Sequence, residues 1–420
     1  MTGPRAVVVA ALVVTAFLVT GRAAVAQSVS QRGFVEGTGF FFPERAPNDS
    51  VRGVADLLAR EELFVKPAPW IQLAAGIDLR ANSHDQVEDE WRLDFTDRGT
   101  RRPRASMRRL SATLTYRRLT VDAGKQFIRW GKTDIVTPTD HFAPRDFLNV
   151  ISADFLAVTG VRAVLQHGDD AFEGVWVPRF TPSRVPLVDQ RWTAVPPTVQ
   201  APLVDRGGVF PDGSQIGVRW SRAGVVEFAL SFFDGYNHLP TIDATFIPVA
   251  PQPAIGVTRL YPAIRSYGGD FAAPTPWFTI KAEAAVITSR ASARAPAGDD
   301  YVLYVLQLER QSGEWVFIGG YAGEAVTARR TVSTFAPDRG MTKSIVGRAA
   351  YTIDPRRGVA FEGAVRQNGA GAYAKAEYYE TRGQHWRVTV TAIGIGGDDD
   401  DFLGQYHDNS HLAIALRYSF

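Results

Sequence analysis

HLAIALRYSF, residues 411–420, closes the chain and decides how the rest of it is read. In an extended backbone Leu412, Ile414, Leu416, Tyr418 and Phe420 share one face, and His411, Ala413, Ala415, Arg417 and Ser419 share the other. The same period of two recurs upstream. Leu110, Ala112, Leu114 and Tyr116 oppose Ser111, Thr113, Thr115 and Arg117; Val226, Phe228, Leu230 and Phe232 oppose Glu227, Ala229 and Ser231; Phe278, Ile280, Ala282, Ala284 and Val286 oppose Thr279, Lys281, Glu283 and Ala285. Alternation over about ten residues is long for a globular strand, typically about five to six. It matches the roughly nine to eleven residues a tilted strand needs to cross a bilayer. A β-sandwich also alternates, but with shorter strands and an inner apolar face. A solenoid needs a fixed repeat, and the chain has none.

The connections carry the second signal. Short turns fall at Arg117-Arg118, Gly168 to Asp170, Arg222 to Gly224, Gln311 to Gly313, Asp354 to Gly358 and Thr381 to Gly383. Between them lie longer polar stretches at 82–105, 130–156, 181–213, 235–258, 290–299, 326–341 and 397–409, with Asn368 to Ala370 the short exception. Membrane barrels show this asymmetry, with short periplasmic turns and longer external loops. Counting back from Phe420 gives sixteen strands beginning near Trp70. A further hairpin, Gly33 to Phe42 with Val54 to Lys66, makes eighteen. The expected fold is an all-β, antiparallel, up-and-down transmembrane barrel of about eighteen strands, or sixteen if that hairpin lies outside the wall. Trp70, Tyr116, Trp220, Trp277, Trp315, Trp386, Tyr418 and Phe420 cluster at the short-turn side, as an interfacial girdle would.

Composition agrees. Of 420 residues 45% are apolar, 11% aromatic and 21% charged, and the net charge of +2 gives no sign of a nucleic-acid partner. There is no cysteine, which excludes disulfides, thiolate metal sites and cysteine nucleophiles. Arg5, the apolar run from Ala6 to Thr20 and Ala24-Val25-Ala26 have the layout of a cleaved export signal over residues 1–26. The expected organisation is that leader followed by one outer-membrane barrel domain, 27–420. Removing Arg5 and Arg22 with it leaves a neutral chain.

Catalytic and cofactor motifs fail. Gly131-Lys132-Thr133 lacks the glycine a phosphate loop needs at position 126, which is Gln126. Gly369, Gly371 and Ala374 fit a dinucleotide fingerprint, but a strand follows instead of a helix. Asp398 to Asp401 reads as a solvated external loop without the pattern of a calcium site. His407, Ser410 and His411 leave a barrel hydrolase as an alternative. No enzyme activity, metal or cofactor is expected.

If the apolar set faces lipid, the opposite set lines the lumen. Lys281, Glu283, Arg348, Glu362, Arg366, Lys375 and Glu377 are candidates, and their mixed signs disfavour strong ion selectivity. The segment from Gly124 to Asn149 starts as a strand, then breaks alternation with Pro138, Pro144 and a cluster of charges. A loop of this kind is a candidate pore constriction, with Arg129, Lys132 and Arg145 facing Asp134, Asp140 and Asp146. An external loop crosslinked by salt bridges is the alternative reading.

RWGKTD (129–134), the Pro144-Arg145-Asp146-Phe147 run, VPRFTPSRVP (177–186), LSFFDGYN (230–237) and the terminal ALRYSF together resemble porin-like and alginate-export-type outer-membrane barrels of Gram-negative bacteria. The resemblance implies an eighteen-stranded barrel passing solutes or polysaccharide. It also implies that Leu416, Tyr418 and Phe420 form the signal read by the outer-membrane assembly machinery. A polyanion exporter is expected to carry excess inner cations, and this chain is neutral. The expected function is therefore passive diffusion of small polar solutes through an outer membrane of lipid and lipopolysaccharide. The alternatives are a polysaccharide-export channel and a non-conducting barrel whose external loops bind a ligand or surface.

Overall fold

The computed structural model describes residues 28–420 apart from 92, 195–200, 249–252 and 331–332, so the leader expected at 1–26 lies outside the described residues. Eighteen antiparallel strands form one closed wall. They are β1 (Ser28–Phe41), β2 (Gly53–Ala68), β3 (Ile71–Asn82), β4 (Ala105–Tyr116), β5 (Leu119–Gln126), β6 (Val158–His167), β7 (Asp170–Val177), β8 (Gln215–Arg222) and β9 (Glu227–Tyr236). The second half comprises β10 (Ala263–Pro274), β11 (Thr279–Arg290), β12 (Asp300–Ser312), β13 (Trp315–Ala328), β14 (Ser344–Asp354), β15 (Arg357–Arg366), β16 (Gly371–Arg382), β17 (Trp386–Gly397) and β18 (His411–Ser419).

Each strand pairs with its neighbours in sequence, and β1 closes on β18 from Phe34↔Ser419 to Phe41↔Leu412. Two backbone hydrogen bonds between Gly33 and Phe420 finish the seam. Closure leaves the wall no open edge, which is why a sheet can stand in a medium without hydrogen-bonding partners. The first hairpin is part of the wall, so the count is eighteen.

The alternation has its expected consequence. Leu412, Ile414, Leu416, Tyr418 and Phe420 are exposed on the outside, while His411 and Ala413 are buried inside. At the short-turn end Trp70, Tyr116, Trp277, Trp315 and Trp386 are all exposed on the same outer rim. The turns there are tight. At Gly313, for example, Ser312 and Trp315 pair across a two-residue turn with φ of +58°, a conformation that a side chain would strain. This turn is one residue later than the sequence suggests.

The long-loop end is narrowed by inserted chain. After Gln126 the chain leaves the wall, three residues sooner than the sequence indicates, and turns into the barrel until Val158. Ile128, Trp130 and Phe142 of this inserted loop pack on an apolar inner wall made by Val175, Val177, Phe233, Ile264, Ala285 and Ile287. A Cβ at Gly217 would sit 2.6 Å from both the Trp130 and Phe142 rings, so the wall is shaved to receive them. The residues Leu93–Asp94 pair in parallel with Ala105–Ser106, beside the end of β4 that β5 does not reach. A second apolar cluster joins Val150 of the inserted loop, Trp192, Leu403 and Tyr406 to the inner wall at Val346, Ala364, Tyr373, Ile393 and Ile395. Three loops also pair outside the barrel wall in a small sheet of Leu203–Val209, Ala254–Leu260, Thr241–Ile247 and Ser333–Thr334, which the alternation pattern did not reveal.

Candidate permeation site

One carboxylate gathers five of the hydrogen bonds that fix the inserted loop to one side of the lumen. Glu283, on the inner face of β11, is 2% exposed. One of its oxygens accepts from Thr139 N (2.9 Å) and Thr139 Oγ1 (2.8 Å). The other accepts from Lys132 N (3.0 Å), Thr133 N (3.3 Å) and Thr133 Oγ1 (2.9 Å). Five donors on one buried carboxylate satisfy its lone pairs and the loop's own amides together. Beside it, Gln307 accepts from Asp134 N (2.8 Å) and donates to Asp134 Oδ2 (2.6 Å). Lys281 bridges Asp134 at 3.2 Å and Glu309 at 2.8 Å, and Lys132 pairs with Glu227.

The opposite flank of the loop is held by arginines. Residues Arg145–Asp146 and Asp154–Phe155 pair as a small hairpin. Asp146 is buried and accepts from Arg102 (2.9 Å) and Arg184 (2.6 Å). Burial alone would raise its carboxyl, yet these two guanidinium groups hold it well below the usual carboxylate range. Arg129 pairs with Asp140 inside the loop, and Trp130 N donates to the same carboxylate at 3.1 Å. There burial prevails over Arg129 and pushes Asp140 up to about 6. The guanidinium carbons of Arg129 and Arg145 lie 3.5 and 4.6 Å from the centre of the Phe155 ring.

The remaining lumen runs past β1 to β4, whose inner face is charged instead of apolar. Arg417 pairs with Glu36 (2.7 Å), Arg32 with Glu62 (2.8 Å) and Arg60 with Asp78 (2.7 Å). A bulge sits on β4, where Gly76 opposes Arg109 but Ile77 opposes Met107. The extra residue lets the consecutive Arg108 and Arg109 both turn inward, 4.8 and 5.3 Å from the Phe127 ring centre. Between this wall and the inserted loop lie two polar clefts. One, of about 170 Å³, is lined by Glu36, Thr38, Asp56, Arg80, Asn149 and Asp154 among others. The other, of about 40 Å³, is lined by Asp78, Arg80, Arg108, Phe127, Asp154 and Phe155 among others. Arg80, Arg102 and Asp154 border both.

The fold of this chain has solved counterparts. OccAB4 of Acinetobacter baumannii superposes with a TM-score of 0.55 at 11% identity, covering 95% of this chain and all of that one. A BenF-like porin from Pseudomonas fluorescens gives 0.55 at 9% identity, over 94% of this chain and 98% of that one. OpdK of Pseudomonas aeruginosa, solved with vanillate, gives 0.56 at 10% identity, over 94% and 99%. The fold is that of these porins. No family model and no curated protein matches the sequence.

The residues singled out from sequence are distributed unevenly around this lumen. Arg129, Lys132, Asp134, Asp140, Arg145 and Asp146 all belong to the inserted loop, but they do not face one another as two opposed rows. Asp134 and Lys132 lean on the β9 to β12 wall, and Asp146 is buried beneath the loop. Glu283 is likewise covered rather than lining open lumen, because the loop lies on it. Arg366 is drawn upward to Asp401 (2.9 Å) and to the carbonyl of Gly340 (2.7 Å), joining two loops. Asp401 is therefore buried and not part of a solvated acidic run. Lys375 pairs with Glu377 at 3.5 Å, Glu362 accepts from the Tyr373 hydroxyl at 2.6 Å, and Arg348 stands opposite Glu362 in register. Ser410 Oγ bonds the backbone of Ile395 and His407 instead of an imidazole, so the hydrolase alternative has no Ser–His pair. Among the described residues no group of three metal-ligating side chains converges.

Arg102, Arg108 and Asp154 are not marked out in the sequence. Arg80 is an ordinary inward strand position in sequence. Asp154 lies past the proline-rich part of the loop and becomes notable only when the hairpin at 145–155 carries it to Arg80.

Proposed function

We propose that this chain is an outer-membrane channel through which small polar solutes diffuse, passing between the inserted loop and the charged wall of β1 to β4. The observation that carries this reading is the Asp154–Arg80 pair, 3.7 Å apart, which sets opposite charges side by side at the border of both clefts beside the loop. Opposed charges in a narrow wet passage orient polar and zwitterionic solutes without strongly selecting one ion sign. In this reading residues 129–146 shape the constriction from behind, holding the hairpin that presents Asp154.

The short-turn end faces the periplasm and the long loops face outward, after cleavage of the leader at 1–26. Leu416, Tyr418 and Phe420, exposed on the outer face of the closing strand, suit recognition by the assembly machinery. The deciding experiment is single-channel recording of refolded mature protein in a planar bilayer across a salt gradient. Stable steps of weak ion selectivity support the channel. Electrical silence from protein shown to be folded would overturn it in favour of a barrel that acts through its external loops.

A further inference from the structure

The outward wall along β8 to β12 is apolar through its middle and carries charged side chains near its two ends, Arg222 and Arg310 at the short-turn end. At the long-loop end Asp234 near the end of β9, Arg265 near the start of β10 and Arg290 at the end of β11 form one outward cluster, since Asp234↔Arg265 are register partners. Arg265 donates twice to Asp234 Oδ2, at 3.0 and 2.7 Å, and Arg290 donates to Oδ1 at 2.6 Å. Two guanidinium groups share one carboxylate, so the cluster keeps one net positive charge. Both arginine side chains stay about two-fifths exposed, at 40% and 44%. Directly below, Phe232 packs on Tyr267 with ring centres 5.1 Å apart. From Phe232 a shallow apolar groove of about 630 Å³ runs down the outer wall past Leu230, Val218, Trp220, Phe172 and Leu165.

A guanidinium on a lipid-facing wall needs an anionic partner at the interface, and arginine pairs with phosphate through paired N–H donors. We infer that Arg265 and Arg290 bind a phosphate of lipid A, the phosphorylated glycolipid of lipopolysaccharide, with one of its acyl chains in the groove below Phe232. Charge complementarity and the join between cationic cluster and chain-shaped groove select this occupant. The inference rests on the reading that the long-loop end lies in the outer leaflet of an outer membrane.

The test is native mass spectrometry of the refolded mature protein titrated with diphosphorylated lipid A, with dephosphorylated lipid A and with phosphatidylglycerol. Wild type should hold one diphosphorylated lipid A, and both dephosphorylation of the lipid and the double variant Arg265→Gln/Arg290→Gln should lower that adduct about tenfold. Equal adducts in wild type and variant, or equal retention of phosphatidylglycerol, would overturn the site. Altering the lipid keeps the test valid if the variant folds poorly. Liposome insertion is scored separately: protein that inserts and conducts but shows no phosphate dependence defeats only this inference. Failure of wild type to insert would defeat the membrane reading and the site with it.

Discussion

The Asp154 carboxylate, on the inserted loop and 63% exposed, stands 3.7 Å from the Arg80 guanidinium, which belongs to the barrel wall and is only 12% exposed. The two groups come from segments that share no secondary structure, and both border the two clefts beside the loop. The acid is wetter than the base. Its removal should therefore alter the local field more than it alters stability, because a carboxylate this exposed contributes little to folding and Arg80 keeps Asp78 at 3.4 Å.

Replacing Asp154 by Asn should raise the preference for anions about two- to threefold, and Arg80→Gln should shift it the other way, as expected for one charge in a partly screened passage. Reversal potentials in a potassium chloride gradient measure both. Identical potentials in wild type and the two variants would remove this pair from the conduction path.

Glu283→Ala strands the amides of Lys132, Thr133 and Thr139 beneath the loop. A loss of about 3 kcal/mol is expected from unsatisfied buried donors. The urea midpoint should fall, and single-channel steps should become larger and noisier as the loop detaches. Unchanged steps alongside a lowered midpoint would show that the loop does not limit conductance.

In the proposed channel Asp140 should confer a pH response. Its carboxyl is raised from 3.8 to about 6 in the folded protein. The folded state therefore holds the proton more tightly than the unfolded state, and this group's contribution to stability falls as pH rises from about 4 to about 6 and is constant above. Protonation below about 6 leaves Arg129 without its counter-charge, so anion preference should rise between pH 7.5 and pH 5. In Asp140→Asn that change should vanish. A wild-type reversal potential flat across this range would refute the assignment.

Asp146 acts in the opposite sense. Its folded carboxyl lies below the ordinary 3.8, so the stability it supplies is complete above about pH 4 and is lost as pH falls toward the folded value. Asp146→Asn leaves Arg102 and Arg184 buried without their anion and should cost about 3 to 5 kcal/mol at pH 7. Thermal melting at pH 7 and pH 3 tests it: the gap between variant and wild type should narrow at the lower pH.

The wall was legible because a bilayer demands an apolar side chain at every second position, and strands such as 411–419 obey that rule without help from the rest of the chain. Turn residues at Arg117, Gly168 and Gly313 marked most of the short-turn end. Pro138, Pro144 and the charges around them marked the inserted loop as ordered, but not the surface it rests on. Glu283 lies 150 residues from Thr133, and nothing local to either indicates the other. The bulge at Arg108 was hidden for a different reason. Regular alternation assigns Arg108 and Arg109 to opposite faces, and only the pairing with β3 shows that one residue is extra.

Closure of the first strand on the last also has a kinetic side. Glu36 and Arg417, bonded at 2.7 Å across that seam, are separated by 381 positions along the polypeptide. Contacts this distant in the chain form late and slowly, since the entropy of joining the ends must be met first. Until they form, β1 and β18 each present a row of unmet amides and carbonyls to whatever strand is nearby. The nascent protein is thus most prone to aggregate after synthesis is complete, and an escort that shields both edges during that interval would set its yield.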